Sequence, residues 1–193
     1  YVAKLTGASV PDVYLSPNFF EFFNSKGYSF FASDSKVVGM IKNGEIKVLE
    51  FNCRFGDPET QPIMMRLKSS LVELCLDAIE DKLDTHQIEW SSKSACGVVI
   101  ASGGYPEHYE SNQEVSFDEI NRPDIKLFHA GTKMLNDSIV TSGGRVFCAT
   151  ALGSDLKDAQ EKAYELVKKV SFNGAFHRKD IGYKGIYMGV KWA

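Results

Sequence analysis

The sequence predicts an α+β fold that combines short antiparallel strands with two amphipathic helices. Three observations support this class: β-prone runs flank Asn43-Gly44, residues 95–101 are almost wholly apolar, and two stretches repeat apolar residues every three or four positions. The chain has 193 residues, of which 44% are hydrophobic and 24% are charged. This composition can build a buried core, so we expect one large domain or two small ones.

Residues 1–36 are expected to be irregular, because Pro11, Pro17 and Gly27 interrupt a segment rich in aromatic side chains. The first ten residues lack the charged region, apolar stretch and cleavage site of a signal peptide. No run approaches the roughly 20 apolar residues that a membrane span needs. The four cysteines are widely separated, which favours reduced thiols over a disulfide scaffold. A cytoplasmic location is therefore expected.

A β-hairpin is predicted around Asn43-Gly44, because both residues accept the positive φ of a type I′ turn. Its strands are the β-prone runs on either side. In the second strand Ile46, Val48 and Glu50 are expected to share one face, since side chains alternate along a strand. Glu50 then lies near the end of this strand.

A single amphipathic helix is predicted after Pro62, ending near Lys82. Its apolar stripe consists of Ile63, Leu67, Leu71, Leu74, Cys75, Ala78 and Ile79. Residues 84–93 are polar and have no period, which indicates a boundary or linker. The predicted units are therefore 37–83 and 94–193.

The second unit is predicted to begin with a buried strand at 95–101, followed by a strand at 126–130. Gly143-Gly144 predicts another hairpin, between 139–141 and 145–152. Gly153-Ser154-Asp155 is typical of a helix start. The apolar stripe of that helix consists of Leu156, Ala159, Ala163, Leu166, Val167 and Val170.

The end of the first hairpin contains the residues best suited to chemistry. Glu50 and Asn52 are two apart at a strand end, so their oxygen atoms point the same way. A carboxylate with an amide oxygen suits a hard cation such as Mg²⁺. Arg54 continues the alternation and can clamp a carboxylate or phosphoryl group, while Asp57 lies in the following tight turn.

A structural interpretation of the same residues is also open. Acidic and amide residues at strand ends often cap turns. Arg54 would then pair with Asp57 or Glu59. Spacing alone does not decide between this interpretation and metal binding.

Residues 51–62, FNCRFGDPETQP, resemble the signature of the glycinamide ribonucleotide synthetase family, also called phosphoribosylamine–glycine ligases. The resemblance extends from Val38 to Gly185. It includes the further segments 65–69, 71–75, 103–106, 128–132, 143–146 and 178–182.

The resemblance implies an ATP-dependent ligase of the ATP-grasp superfamily, acting in purine biosynthesis. ATP phosphorylates the carboxylate of glycine, and the amine of 5-phosphoribosylamine then attacks the acyl phosphate. The products are glycinamide ribonucleotide, ADP and phosphate. Members of the family are considerably longer, so the chain resembles a C-terminal part that lacks the N-terminal half, and its own turnover of ATP is not expected.

The resemblance also implies roles for individual residues. Glu50 and Asn52 would hold the Mg²⁺ or Mn²⁺ that bridges the nucleotide phosphates, which places Glu50 at the ATP cosubstrate as well. Arg54 would act in catalysis by orienting the reactants. The residues implied in substrate binding are Asp57, Arg178 and Asp180.

Other partners and sites receive less support from the sequence. The net charge of −3 gives no attraction to nucleic acid or an anionic membrane surface. His129 and Cys53 are interpreted as packed structural residues, whereas His177 is open between a solvated surface and a ribose phosphate contact. Glycine pairs at 103–104 and 143–144 are interpreted as turns.

Two alternatives to this ligase remain open. One is another ATP-grasp carboxylate–amine ligase, against which the long match over residues 56–62 argues. The other is a non-catalytic remnant that serves as a binding domain, which the absence of a glycine-rich phosphate loop favours.

Overall fold

The computed structural model describes residues 29–32, 37–42, 45–51, 55–85 and 87–187. Contacts divide the chain into two units, with the division between Asp57 and Pro58. The described part combines antiparallel sheets with helices, which confirms the predicted α+β class. The boundary predicted at residues 84–93 stays a prediction.

The first unit contains a three-stranded antiparallel sheet in the order β1-β2-β3. Its strands are β1 (Ser29–Ala32), β2 (Val37–Lys42) and β3 (Glu45–Phe51). Lys42 lies opposite Glu45, which confirms a hairpin with a two-residue connection. The expectation that all of residues 1–36 are irregular is wrong, because β1 pairs along its whole length with β2. Its aromatic residues suit a strand.

The pairing of β2 with β3 contains an irregularity that the alternation argument did not foresee. Gly39 lies opposite Val48, but the next residue back along β2, Val38, lies opposite Glu50. Two steps along β3 therefore correspond to one step along β2, as in a β-bulge. The expectation that Ile46, Val48 and Glu50 share one face stays a prediction.

Two helices replace the single helix predicted after Pro62. They are α1 (Thr60–Arg66) and α2 (Leu71–Ile79), and a short 3₁₀ turn follows at Leu83–Thr85. Leu67 leaves the helix with an extended backbone, ψ 124°, and forms an isolated β-bridge with Trp90. Ser70 then starts α2, because its Oγ accepts a hydrogen bond from the backbone N–H of Glu73 at 3.3 Å. The apolar periodicity in the sequence therefore continues across a break in the helix, which the pairing of Leu67 with Trp90 creates.

The two helices differ in burial. Pro62 and Ile63 of α1 are buried, and α1 packs against the strands Ser94–Ala101 and Arg145–Gly153. Among the described residues none of α2 is buried, and Leu76 and Ile79 are 53% and 81% exposed. The apolar stripe of α2 is therefore mostly exposed, and within the described part of the chain only Leu74 of this stripe in α2 is partly covered.

The second unit is built on a four-stranded antiparallel sheet in the order β11-β4-β9-β6, with smaller sheets formed by β5 with β10 and by β7 with β8. The strands are β4 (Ser94–Ala101), β5 (Ser116–Phe117), β6 (Ile125–His129), β7 (Thr132–Leu135), β8 (Ser138–Thr141), β9 (Arg145–Gly153), β10 (Val170–Ser171) and β11 (Phe176–His177). The helices of this part are α3 (Leu156–Val167) and α4 (Tyr183–Tyr187).

The core lies between α3 and the central strands β4 and β9. Val98, Phe147 and Leu166 are among its fully buried side chains. The buried strand predicted at 95–101 is confirmed, and so is the helix that follows Asp155. The Asp155 side chain caps α3 by accepting a hydrogen bond from the backbone N–H of Asp158 at 2.8 Å.

The hairpin predicted around Gly143-Gly144 is wrong, because its two strands pair with other strands and the tight turn lies elsewhere. Strand β8 pairs with β7, while β9 pairs with β4 and β6. The tight turn lies at Asn136-Asp137, where φ is +47° and +62°. Positive φ at both central positions is what a type I′ turn requires, and Asn and Asp tolerate it better than other side chains. Gly143-Gly144 connects two sheets instead.

An ion-pair cluster joins α3 to the loop before β6. Lys162 Nζ lies 2.9 Å from a carboxylate oxygen of Asp158 and 3.4 Å from one of Asp124. Arg122 donates two hydrogen bonds to Asp124, at 3.0 and 2.7 Å. The hydrogen bond from Lys162 holds the pKa of Asp158 below its ordinary value, and the one from Arg122 does the same for Asp124.

These lowered pKa values predict a loss of stability in acid. A carboxylate with a lowered folded-state pKa contributes stability above its unfolded pKa, and that contribution disappears as the pH falls through the folded value. Asp158→Asn should therefore lower the free energy of unfolding at pH 7 but make little difference at pH 2, as measured by urea unfolding. Asp118→Asn, at an exposed position, should change neither. An equal effect of Asp158→Asn at both pH values would contradict the prediction.

Candidate functional site

The predicted metal-binding segment lies at the end of β3. Glu50 is the penultimate residue of that strand, opposite Val38. Asn52 and Arg54 lie outside the described residues, as does Cys53. The metal pair and the catalytic role of the arginine therefore stay predictions.

Asp57 is exposed and lies in a turn directly before the buried Pro58. It belongs to the first unit, whereas Arg178 and Asp180 belong to the second. The implied role of Asp57 in binding substrate stays a prediction.

Three segments quoted for the family resemblance meet at one end of the four-stranded sheet. Ser102, which is buried, donates from its backbone N–H to the carbonyl of Gly144 at 2.8 Å and from Oγ to the carbonyl of Gly143 at 3.1 Å. Ser142 donates from its N–H to the carbonyl of Gly131 at 2.7 Å. Segments 103–106, 128–132 and 143–146 are thus held together by hydrogen bonds to backbone carbonyls, donated by the flanking Ser102 and Ser142.

Glycine is required in this cluster because the chains approach so closely. A Cβ atom added to Gly144 would lie 2.0 Å from the ring of Tyr105, and one added to Gly131 would lie 2.7 Å from the Cα of Gly143. Such separations do not occur between non-bonded carbon atoms. The glycines interpreted as turns therefore also permit this contact between segments.

A groove of about 470 Å³ opens beside this cluster. It is lined by Gly103, His108, Tyr109, Glu110, Asn173 and Gly174. The sequence gives no signal for His108 or Asn173, because they are far apart in the chain and neither belongs to a spaced motif.

Arg178 and Asp180 are brought together on the exposed loop after β11. Arg178 donates from Nε at 2.9 Å and from one terminal nitrogen at 2.6 Å to the two carboxylate oxygens of Asp180. The two side chains are 53% and 57% exposed. The hydrogen bond from Arg178 holds the pKa of Asp180 below its ordinary value, so the carboxylate is ionised at neutral pH.

Helix α3 anchors this loop through two side chains. The Tyr164 hydroxyl donates to the carbonyl of Arg178 at 2.8 Å and accepts from the N–H of Ile181 at 3.1 Å. Gln160 Nε2 donates to the carbonyl of Ile181 at 2.5 Å. Burial raises the pKa of Tyr164, so its hydroxyl keeps the proton that it donates. The sequence does not mark either residue as functional, because on α3 both are neighbours of its apolar stripe.

The two histidines considered in the sequence make different contacts. The His129 ring packs edge-on against Phe147 with ring centres 4.9 Å apart, and its Nδ1 lies 3.1 Å from Thr132 Oγ1. These contacts fit the structural role expected for His129. The centre of the His177 ring lies 5.9 Å from the centre of the Tyr164 ring, next to the anchored loop.

Neither a metal-binding cluster nor a membrane span is found among the residues that the structure describes. No three His, Cys, Asp or Glu side chains there are placed to hold a metal ion. None of the described helices combines the length and apolar character needed to cross a membrane. Glu50 has no described side chain and Asn52 is not described, so the first finding leaves the predicted pair untested.

Part of the second unit is similar to a known protein family. The sequence pattern of the family described as phosphoribosylglycinamide synthetase, C domain, matches residues 95–184. The chain is 53% identical over 146 residues to phosphoribosylamine–glycine ligase of Vibrio parahaemolyticus, which covers 75% of this chain and 34% of that protein. The corresponding protein of Salmonella typhimurium is 52% identical over 149 residues, again with 75% and 34% covered. The chain therefore spans about a third of the length of these relatives.

A solved structure agrees with the sequence comparisons. The crystal structure of phosphoribosylamine–glycine ligase from Thermotoga maritima has a TM-score of 0.57 and 32% sequence identity, covering 75% of this chain and 35% of that one. Residues 95–184 thus match the phosphoribosylglycinamide synthetase C domain family, and three quarters of the chain is similar to the C-terminal part of phosphoribosylamine–glycine ligases.

Proposed function

We propose that this chain is the C-terminal part of an ATP-dependent ligase that joins glycine to 5-phosphoribosylamine in purine biosynthesis. The observation that carries the proposal is the identity of 53% over 146 residues to a protein named phosphoribosylamine–glycine ligase. Identity at this level extends beyond the C domain, because the matched length exceeds residues 95–184. A cytoplasmic location is part of the proposal.

The proposed reaction has two steps. The γ-phosphoryl group of ATP is transferred to the carboxylate oxygen of glycine, which releases ADP and forms glycyl phosphate. The amine of 5-phosphoribosylamine then attacks the glycyl carbonyl carbon, and phosphate leaves as the amide bond forms. In this scheme Arg54 stabilises the negative charge that develops on the transferred phosphoryl group, and Asp57 orients a substrate.

The proposed metal site consists of Glu50 and Asn52. A carboxylate and an amide oxygen form a hard donor set that fits Mg²⁺ or Mn²⁺, both of which also accept phosphate oxygens. Glu50 is the penultimate residue of β3. When bound, the ion would neutralise charge on the nucleotide phosphates.

The proposed activity needs segments beyond this chain. The chain spans 34% of the length of its Vibrio parahaemolyticus relative. Apolar side chains of α2 are exposed, as expected of a helix that packs against such a segment in the intact ligase. We therefore propose that residues 1–193 do not ligate glycine by themselves.

An ADP-release assay tests this proposal. The intact natural protein that contains this chain should release ADP from Mg-ATP only when glycine and 5-phosphoribosylamine are both present. The 193-residue chain should give no turnover under the same conditions. Turnover by the intact protein with a different carboxylate would support another ATP-grasp ligase, and no turnover with any substrate would support a non-catalytic remnant. Robust turnover by the 193-residue chain would contradict the need for further segments.

A further inference from the structure

We infer that Asn173-Gly174 is a modification site, at which the side-chain amide of Asn173 loses ammonia and becomes a carboxylate in the folded protein. The pair lies in the connection between β10 and β11. The reaction needs only this dipeptide and water, so the inference does not depend on the proposed ligase activity.

The backbone around the pair forms a tight turn. The N–H of Ala175 donates to the carbonyl of Phe172 at 3.1 Å, and Gly174 has φ +75°. Positive φ at the third residue of a four-residue turn is what a type II turn requires. Asn173 and Gly174 are both exposed, so water reaches the peptide group between them.

The two groups that react are not held by hydrogen bonds within the described part of the chain. No described residue accepts a hydrogen bond from the N–H of Gly174, and none is a partner of the Asn173 side-chain amide. Moving either group therefore breaks no hydrogen bond to a described residue. Space is also available, because a Cβ atom added to Gly174 would have its nearest neighbour, the nitrogen of Gly103, at 3.5 Å.

Asn173 lines two surface grooves. One is the groove of about 470 Å³ that contains Glu110, and the other has a volume of about 620 Å³ and contains Glu114 and Ser116. Both volumes are far larger than a water molecule needs. The side chain therefore has room to turn, and water and ammonia can enter and leave.

The reaction has two balanced steps. Hydroxide removes the proton from the backbone nitrogen of Gly174, which attacks Cγ of Asn173 and closes a succinimide ring. The bond from Cγ to the side-chain nitrogen breaks, and this nitrogen takes a proton from water and leaves as ammonia, which regenerates hydroxide. Water then opens the ring, giving aspartate when the bond to Cγ breaks and isoaspartate when the bond to the main-chain carbonyl carbon breaks.

Glycine at position 174 is what permits the attack. The peptide group must rotate out of its orientation in the turn to bring the nitrogen to Cγ, and glycine accepts both signs of φ during this rotation. A side chain at this position would restrict the rotation and shield the nitrogen. Asn112 and Asn136 are also exposed, but Gln113 and Asp137 follow them.

Peptide mapping of the intact natural protein that contains this chain tests the inference. After incubation of the folded protein at mildly alkaline pH, the peptide with residue 173 should accumulate aspartate and isoaspartate. Mass spectrometry with electron-transfer fragmentation distinguishes the two products. Asn112 and Asn136 are internal controls and should react at least about tenfold more slowly, because a side chain follows each of them. Each peptide is measured separately, so a reaction at Asn43-Gly44 does not affect the result.

Gly174→Ala is the matched variant, and a parallel incubation in urea gives the rate of the unfolded chain. The added Cβ should slow the reaction at residue 173 about tenfold or more, both in the folded protein and in urea. Equal rates in wild type and Gly174→Ala would overturn the inference. So would an Asn173 that stays intact in the folded wild-type protein while it reacts in urea. Neither outcome bears on the proposed ligase activity.

Discussion

Leu166→Ala is expected to lower the free energy of unfolding by about 2–5 kcal/mol. Leu166 is 0% exposed in the core between α3 and the sheet. Shortening it removes apolar contacts and leaves a cavity that the neighbouring side chains fill only in part. Because domains of this size are stable by about 5–15 kcal/mol, the variant should unfold at clearly lower urea concentration.

Leu76→Ala is the matched control for this prediction. The substitution is again leucine to alanine, but Leu76 lies on α2, where it is 53% exposed. Alanine has a helix propensity at least as high as leucine, so the effect should stay within about 0.5 kcal/mol. Similar losses in the two variants, measured by urea unfolding followed by far-UV circular dichroism, would contradict the position of the core.

Gly104→Ala is expected to destabilise the second unit by about 2–4 kcal/mol. Gly104 has φ +89°, a conformation that costs any other L-residue about 1–2 kcal/mol. In addition, an alanine Cβ would lie 1.9 Å from the carbonyl oxygen of His108. The backbone of the turn must therefore move, and Ser102 beside it would lose its contacts with Gly143 and Gly144.

Gly174→Ala separates the cost of a positive φ from the cost of the steric collision. Gly174 has φ +75°, but a Cβ there would have its nearest neighbour at 3.5 Å, the backbone nitrogen of Gly103. The control therefore contains the conformational cost of about 1–2 kcal/mol without the collision. Thermal or urea unfolding should rank wild type, Gly174→Ala and Gly104→Ala in decreasing stability. Equal stability of the two variants would show that the steric contact has no effect.

The regular elements that depend on local pattern were predictable from the sequence. The buried strand at 95–101 is nearly continuous in apolar residues, and α3 begins at an aspartate cap and repeats its apolar residues every three or four positions. Both signals arise within one short segment, so no knowledge of distant partners is needed. The α+β class follows from these elements and from the first hairpin.

The errors occurred where a distant segment decides the local structure. The helix predicted after Pro62 breaks at Leu67, because this residue pairs with Trp90. The hairpin predicted at Gly143-Gly144 does not form, because β9 pairs with β4 and β6 while β8 turns back on β7. Periodicity and turn residues describe what a segment can do, and the choice among partners depends on packing.

Some features of the candidate site were also predictable from the sequence, and others were not. The signature at residues 51–62 indicated the family from sequence alone, and the comparisons confirm that relationship. The pairing of Arg178 with Asp180 was not predicted, although both residues were selected. Tyr164 and Gln160 could not be selected at all, because a side chain that hydrogen-bonds to the backbone of a distant loop has no characteristic spacing.

By itself, the sequence determined the α+β class, the apolar surfaces of the main strand and helix, and the kinship with phosphoribosylamine–glycine ligases. These features are properties of neighbouring residues or of a contiguous motif. Only the tertiary structure decided which glycine turns contact one another and how α3 holds the loop of residues 178–182. Such contacts join segments far apart in the chain, and their free energy exists only when the whole unit is folded.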